Sequence, residues 1–402
     1  MIETDTFLPK TITQSEMRTI NRSAVLEYFR LAHTVSRTEI AERLKLSRPT
    51  VKRIIDQLLE ENLVISTGKK ETGKGRSREL LSLNIKENAV IGIDIGGSHI
   101  SGALVNLGGE ILFERHLPQE WDAPDSNFTR ISDFIQTLLD RSHQHKIHLL
   151  GIGIGVPGIV SSQTGEVKRA PSLGWVDFPF LEELRLLFPN IPILIENDVA
   201  LAALGEYWFG AGIGINNLIM IAIGTGIGAG IILDGKLYRG HTDSSGEIGY
   251  ILPDIQYLNK QYPGFGALEN VASGKGIADR AKKVLQTSQN KLDLSKVNAL
   301  FVFDAAQNGE EWATLLIEET VDYLSLMIAN ISVSFDPELI ILGGGVAESL
   351  KMLIPPILDR LKGTIPNQPQ LEISTLKNNA PILGAVVQVF HKITDYSVIQ
   401  VA

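Results

Sequence analysis

From Gly224 to Gly230 every second residue is glycine, and the run follows the apolar stretch Leu218–Ile223 directly. Few folds can use such a segment. In an extended chain, alternate residues share a face, so these glycines clear one face of its side chains. Something must then approach that backbone closely. Leu218–Ile223, the glycine bend and the run from Ile231 to Gly235 read as strand, turn and strand. The bend fits close approach to a ligand; a plain loop is the alternative.

A second element of this kind runs from Val90 to Ile100 and turns at Gly96-Gly97. Amides of such a turn can point at phosphate oxygens, and Asp94 at the strand end is placed to hold magnesium through water. A simple hairpin turn is the alternative. A third turn, Gly343-Gly344-Gly345, follows the strand Leu339–Leu342 and precedes a helix. That is where open α/β sheets bind phosphates, although a close strand-to-helix turn needs the same glycines. The phosphate-turn candidates are therefore Asp94, Gly96, Gly97, Ser98, Gly224, Thr225, Gly226, Gly343, Gly344 and Gly345. Two strand–glycine hairpins, one in each half, are expected of a duplicated nucleotide-binding fold with a central cleft. Between the halves, the buried strand of Pro192–Ile195 ends in Glu196-Asn197-Asp198 and a helix follows. Polar groups at a strand's carboxyl end sit at the cleft of such folds. Asp198 is placed as a general base toward a hydroxyl and Asn197 as a hydroxyl partner; helix capping is the alternative.

The first 85 residues differ in texture. They carry 15 Lys and Arg against 11 Asp and Glu, while the rest of the chain carries 22 against 35, within an overall net charge of −9. Ser36-Arg37-Thr38-Glu39 reads as a capping box, and Ser47 with Pro49 opens a second helix whose stripe Val51, Ile54, Ile55 and Leu58 is apolar. An earlier helix, roughly Met17 to Ala32, completes a small core. Strands at Leu63–Ser66 and Leu80–Leu83 flank a basic, glycine-rich tip. Helix-turn-helix plus basic hairpin is the winged pattern. The expected DNA contacts are Ser47, Arg48, Thr50, Lys52, Arg53, Lys74, Arg76 and Arg78. An ordinary helical hairpin with a solvated basic face is the alternative.

Cysteine is absent, which excludes disulfides and thiolate zinc sites. The apolar runs are short and broken by glycine, and the acidic N-terminus has no secretory core. A cytoplasmic chain without a membrane partner is expected. His143, His145 and His148 fall at a helix end, where cationic side chains suit the dipole.

The chain resembles the ROK family (repressor, open reading frame, kinase) over nearly its full length. The motifs that carry the resemblance are Asp94–Ser98, Gly153-Ile154-Gly155-Val156-Pro157-Gly158, Glu196–Asp198, Gly224–Gly230, Ser245-Gly246-Glu247-Ile248-Gly249 and Leu342–Gly345. The resemblance implies an α/β fold: an N-terminal winged helix-turn-helix at 1–85 and a two-lobed, actin-like or ribonuclease-H-like sugar-kinase fold at 86–402. Lobe one would cover about 86–198 plus a C-terminal helix at about 382–396, and lobe two about 199–381. It places sugar contacts on Asn197, Asp198, Glu247 and Glu269, with Gly174 on the sugar-side loop, and makes Asp198 the base in kinase members. Members with the winged head resemble repressors that a sugar releases from operator DNA, acting as homodimers or dimers of dimers.

Two departures stand out. The family commonly holds zinc through a histidine and three cysteines after the glutamate matching Glu247; here Tyr250 takes the histidine's place and no cysteine follows. Zinc is not expected. Kinase members usually carry Thr-Lys after the first glycine pair, where this chain has Ser98-His99. The expectation is a sugar-responsive regulator that needs no cofactor. The alternatives are an ATP- and magnesium-dependent sugar kinase with a head, and a sugar-binding body with a degenerate head.

Overall fold

The computed structural model describes residues 13–72, 76–118, 121, 123–262, 266–287 and 293–394. Helix α1 (Gln14–Ala32) opens with a capping box between Thr13 and Glu16 that the sequence reading did not anticipate. The short β1 (Thr34–Val35) leads to α2 (Arg37–Arg43), which starts with the expected Ser36–Glu39 box. Ser47 caps α3 (Arg48–Glu60), which buries Val51, Ile54, Ile55 and Leu58. The wing is longer than expected: β2 (Val64–Thr72) pairs antiparallel with β3 (Arg76–Leu83), with a register shift between Ser66 and Gly68. The extra length lies in the polar run toward the tip, which carries no hydrophobic alternation for sequence reasoning to detect.

The body holds two five-stranded sheets of one topology. In the first, β4 (Asn88–Ile95), β5 (His99–Asn106) and β6 (Ile111–Pro118) form an antiparallel meander. Helix α4 (Pro124–Gln144) leads to β7 (His148–Val156), parallel to β4. A small sheet of β8 (Ile159–Val160), β9 (Val167–Ala170) and β10 (Trp175–Phe178) and helix α5 (Phe180–Leu187) precede β11 (Ile193–Asn197), parallel to β7. After α6 (Asp198–Phe209) the pattern repeats: β12 (Leu218–Ile223), β13 (Ile227–Leu233) and β14 (Lys236–Leu237) form the meander. Helices α7 (Glu269–Ala272), α8 (Gly274–Thr287), α9 (Ala299–Gln307) and α10 (Glu311–Phe335) come next. The sheet is completed in parallel by β15 (Leu339–Gly343) and, after α11 (Ala347–Leu350) and α12 (Ile354–Leu361), by β16 (Gln370–Ile373).

The last helix, α13 (Ala380–Ile393), lies across β4 and β7 and packs along α6, which in turn covers β12 and β13. Glycine permits this sandwich. A methyl on Gly92 would meet the Ile382 carbonyl at 2.5 Å, and one on Gly153 would meet Ala385 at 2.8 Å. At the crossing itself, a Cβ on Gly205 would lie 2.2 Å from Ala380 O, and one on Gly384 1.7 Å from Leu201 O. The two helices touch backbone to backbone. Buried Glu206 then fixes the far end of α6: its carboxylate accepts from Ser374 Oγ, Thr375 Oγ1 and the amides of Ala211 and Leu376.

The head shares its core with the body. One apolar cluster joins Val25, Leu26 and Phe29 of α1 to Trp208, Val386 and Phe390. The Arg30 guanidinium lies 4.5 Å over the Trp208 ring, and Arg22 Nε donates to Thr394 O at 3.1 Å. Beneath the wing, buried Asn88 donates to the carbonyls of Asn62 and Asn84, while its own oxygen lies 2.8 Å from His148 Nδ1. Desolvation of these groups is thereby offset by partners on both sides.

Alanine in a helix interior ordinarily improves on glycine by about 1 kcal/mol. Gly384→Ala reverses the sign, because its methyl has no room against Leu201 O; denaturant unfolding should show a loss of about 3 kcal/mol.

Candidate functional site

The register of the first sheet assembles the cleft. Asp94 stands opposite Gly155, and Asn197 opposite Val156, so β4, β7 and β11 end together. A methyl on Gly155 would lie 3.2 Å from Asp198 Cα, so that glycine lets the first turn of α6 close onto the sheet. Across the cleft the two glycine hairpins approach each other: a Cβ on Gly97 would stand 3.4 Å from Thr225 Oγ1.

Asp198 is half-buried, and burial, with Asp94 and then Glu247 nearby, pushes its carboxyl up to about 7. Glu247 is likewise raised to about 7 by burial and by Glu269, while Arg169 pulls the other way. Like charges in a partly desolvated cleft favour protonation of some of them. The site therefore mixes donors and acceptors near neutral pH, which suits hydroxyl groups. Asn197 has a double duty: its oxygen caps α6 by accepting from the Ala200 amide, and its nitrogen donates to Gly158 O at 2.9 Å. The capping alternative thus holds for Asn197, and one amide hydrogen remains for a ligand. The Glu269 carboxylate accepts the amides of Ile227 at 2.7 Å and Gly266 at 2.9 Å. Gly174 forms an exposed left-handed turn against Pro124. Two bridges span the lobes: Arg239 Nε to buried Glu196 at 2.7 Å, and the Ser162 amide to Asp243 at 3.2 Å.

The glycine turns also serve packing. The alternation in Gly224–Gly230 reads as ligand approach, and three of its four glycines also lie against protein. A Cβ on Gly228 would lie 3.1 Å from Val199, one on Gly230 would lie 2.5 Å from Ala203 Cβ, and one on Gly226 would lie 2.3 Å from Glu269 Oε1. At Gly228 and Gly230 the period arises because one face of β13 receives α6. Gly343 and Gly344 similarly accommodate Met220 and the Ile223 backbone. Gly224 and Gly345 stay open and adjoin, a Cβ on the first lying 3.7 Å from the amide of the second.

The first turn is filled by protein. A Cβ on Gly96 would lie 2.2 Å from His99 Cε1. His99 Nε2 stands 3.3 Å from Asp94 Oδ2, and the ring stacks on His116 at 5.3 Å. The Asp94 partnership raises the His99 pKa. Trp121 closes the turn from outside by donating to Gly96 O. In this arrangement Asp94 faces an imidazole where the kinase reading puts magnesium. A zinc site does not fit: the donor set after Glu247 begins with a tyrosine, and cysteine is absent from the chain.

On the head, Arg48, Lys52 and Arg53 are exposed on the free face of α3, with Lys69 and Arg78 exposed on the wing. The Ser47 oxygen accepts the Thr50 amide at 3.2 Å, making this residue a cap first. Lys52 and Arg37 both reach Asp56 and hold its carboxyl below the usual range. Lys74 and the side chain of Arg76 lie outside the described residues. Sequence reasoning missed Arg169, Arg239 and the placement of His99, because charges that meet only in the fold leave no local pattern.

A sharp consequence follows from the raised Asp198. The folded protein keeps a proton that the unfolded chain releases near pH 4, so stability falls as pH rises toward about 7. Asp198→Asn removes this dependence. The variant should exceed the native protein by about 2 kcal/mol at pH 8 and converge with it toward pH 4, read from melting temperatures.

Residues 90–392 match the ROK family and residues 20–65 match a winged helix-turn-helix DNA-binding family. The xylose repressor of Bacillus spizizenii is 31% identical, over 92% of this chain and 95% of its own length. A glucokinase of Halalkalibacterium halodurans is 34% identical, over 73% of this chain and 92% of its own. The crystal structure of a ROK family transcriptional regulator, a homologue of the Escherichia coli MLC protein, superposes with a TM-score of 0.82 at 24% identity, covering 94% of this chain and 99% of that one. With its winged helix-turn-helix head on a two-lobed α/β body, the chain belongs to the ROK family.

Proposed function

We propose that the protein is a sugar-responsive transcriptional regulator, a repressor that binds operator DNA through α3 and the wing and is released when a sugar enters the cleft. The observation that carries this reading is α6. Its first residue, Asp198, faces the cleft, and its penultimate one, Trp208, lies under Arg30 of the head. One rigid element thus joins the ligand site to the DNA-reading unit. A sugar acts on DNA binding only through different affinities for the two arrangements. The matched repressors support the reading, since they share the head as well as the body. The working form is a cytoplasmic homodimer, or dimer of dimers, on paired half-sites. Among the described residues no helix is long and apolar enough to cross a membrane.

A second reading, sugar phosphorylation, draws on one observation: the Asp198 carboxyl near 7 suits a general base at neutral pH. The His99-filled turn opposes it. Sugar-dependent ADP release that Asp198→Asn abolishes would establish this second reading.

The main test is fluorescence anisotropy on DNA from the chain's own control region, with a panel that includes D-xylose and D-glucose. Binding at low salt, relieved by one sugar, is expected; no binding to that DNA overturns the proposal. In the same assay Arg53→Ala should weaken operator binding about tenfold or more. Lys69→Ala should flatten the slope of log affinity against log salt by about one.

A further inference from the structure

The segment Tyr250–Tyr262 leaves the cleft beside Glu247 and has no regular structure beyond two short 3-10 turns. It exposes Leu252, Ile255 and Leu258 to solvent, and Ile251 at its start packs against the core, so burial holds the segment there and weakly beyond. Three tyrosines supply what burial does not. Tyr257 Oη lies 3.2 Å from Tyr323 Oη on α10. The Tyr257 ring stacks on Tyr262 at 6.3 Å, and Lys260 Nζ stands 5.6 Å from its centroid.

The contacts continue past Tyr323. The Arg280 guanidinium of α8 lies 5.7 Å over the Tyr323 ring and pairs with Glu319. Arg280 Nη1 also donates to Val271 O at 2.7 Å and to Thr320 Oγ1 at 3.2 Å. Val271 belongs to α7, the four-residue turn that begins with Glu269. Glu269 in turn receives the Ile227 and Gly266 amides, and its side chain packs where a Cβ on Gly249 would stand, 2.4 Å from Glu269 Cγ. A continuous set of contacts therefore runs from Tyr257 through Tyr323 and Arg280 to the acidic wall of the cleft.

We infer that Tyr257, Tyr323 and Arg280 form a clamp that positions Glu269, Tyr250 and Glu247 against the hydroxyls of a bound sugar. The inference rests on the sugar-cleft reading above. None of the three clamp residues is a ligand contact; they act through α7 and the segment they tether. A carboxylate that accepts two backbone amides fixes a hydroxyl geometry only if its own helix turn stays still. An untethered segment of this length would let that turn move. The clamp has no part in the DNA-reading face.

The test uses the full chain and two readouts, one of them independent of sugar. Hydrogen exchange, followed by mass spectrometry on peptides containing Ile227 and Gly266, reports whether the Glu269 bonds hold. In Tyr257→Ala these amides should exchange about tenfold faster than in the native protein. The affinity for D-xylose or D-glucose, whichever the native protein binds, should fall about tenfold, and operator affinity without sugar should stay within about twofold. Tyr257→Phe keeps the ring and loses only the hydroxyl contact, so it folds if the native chain does and should lose about threefold in sugar affinity. Unchanged exchange at Ile227 and Gly266 in Tyr257→Ala overturns the clamp, whatever the sugar results. Unchanged sugar affinity in both variants overturns it as well. If exchange quickens but the native protein binds neither sugar and Asp198→Asn changes nothing on the panel, the clamp stands as a brace on Glu269 and the sugar-cleft reading fails instead.

Discussion

The backbone contact of α6 with α13 at Gly205 and Gly384 underlies the rest of the molecule. Helices usually pack 8–10 Å apart, with side chains between them. Here two glycines remove the side chains at the crossing, and the pair fits between the two sheets. Gly92 and Gly153 make the same allowance on one sheet, and Gly228 and Gly230 on the other. Any larger residue at these points would push the sheets apart and open the cleft that their strand ends form. Glu206 adds direction to the contact, since Ser374, Thr375 and Leu376 hold the end of α6 to the segment entering α13.

The cleft's electrostatics follow from that closeness. Asp94, Asp198, Glu247 and Glu269 come from a strand end, a helix start, the residue before a 3-10 turn and a short helical turn, and the crowding with burial raises the carboxyls of Asp198 and Glu247. Arginines take up part of the charge, Arg169 near Glu247 and Arg239 at Glu196, while the His99 ring lies against Asp94. The protein's own side chains thus supply the counter-charge. Such a cleft binds neutral, hydroxyl-rich molecules more readily than further anions.

Much of this was legible in the sequence, and the failures have a common cause. The capping box at Ser36, the cap at Ser47 and the stripe on α3 are local, and they appear where spacing puts them. The duplicated sheet was readable because glycine turns follow apolar strands in both halves. The purpose of the glycines was not readable. Gly228 and Gly230 look the same in sequence whether a ligand or a helix approaches them; only the position of Val199 and Ala203 decides. The same holds for His99, which reads as a departure at the first glycine pair but not as a partner of Asp94, and for Arg169 and Arg239, whose partners are distant in the chain.

The junction beneath the wing has a geometric consequence for DNA. Only four residues separate Leu83 of the wing from Asn88 of the first body strand, and Asn84 among them is hydrogen-bonded to Asn62 and Glu87. The head is mounted without a tether. In the proposed dimer on one duplex, the distance and rotational phase between the two reading helices would be set by how the bodies meet. Each head would then choose bases, while the spacing of the two half-sites along the DNA helix would be a property of the body. A change deep in the body can therefore alter which operators are reached without touching a residue that meets DNA.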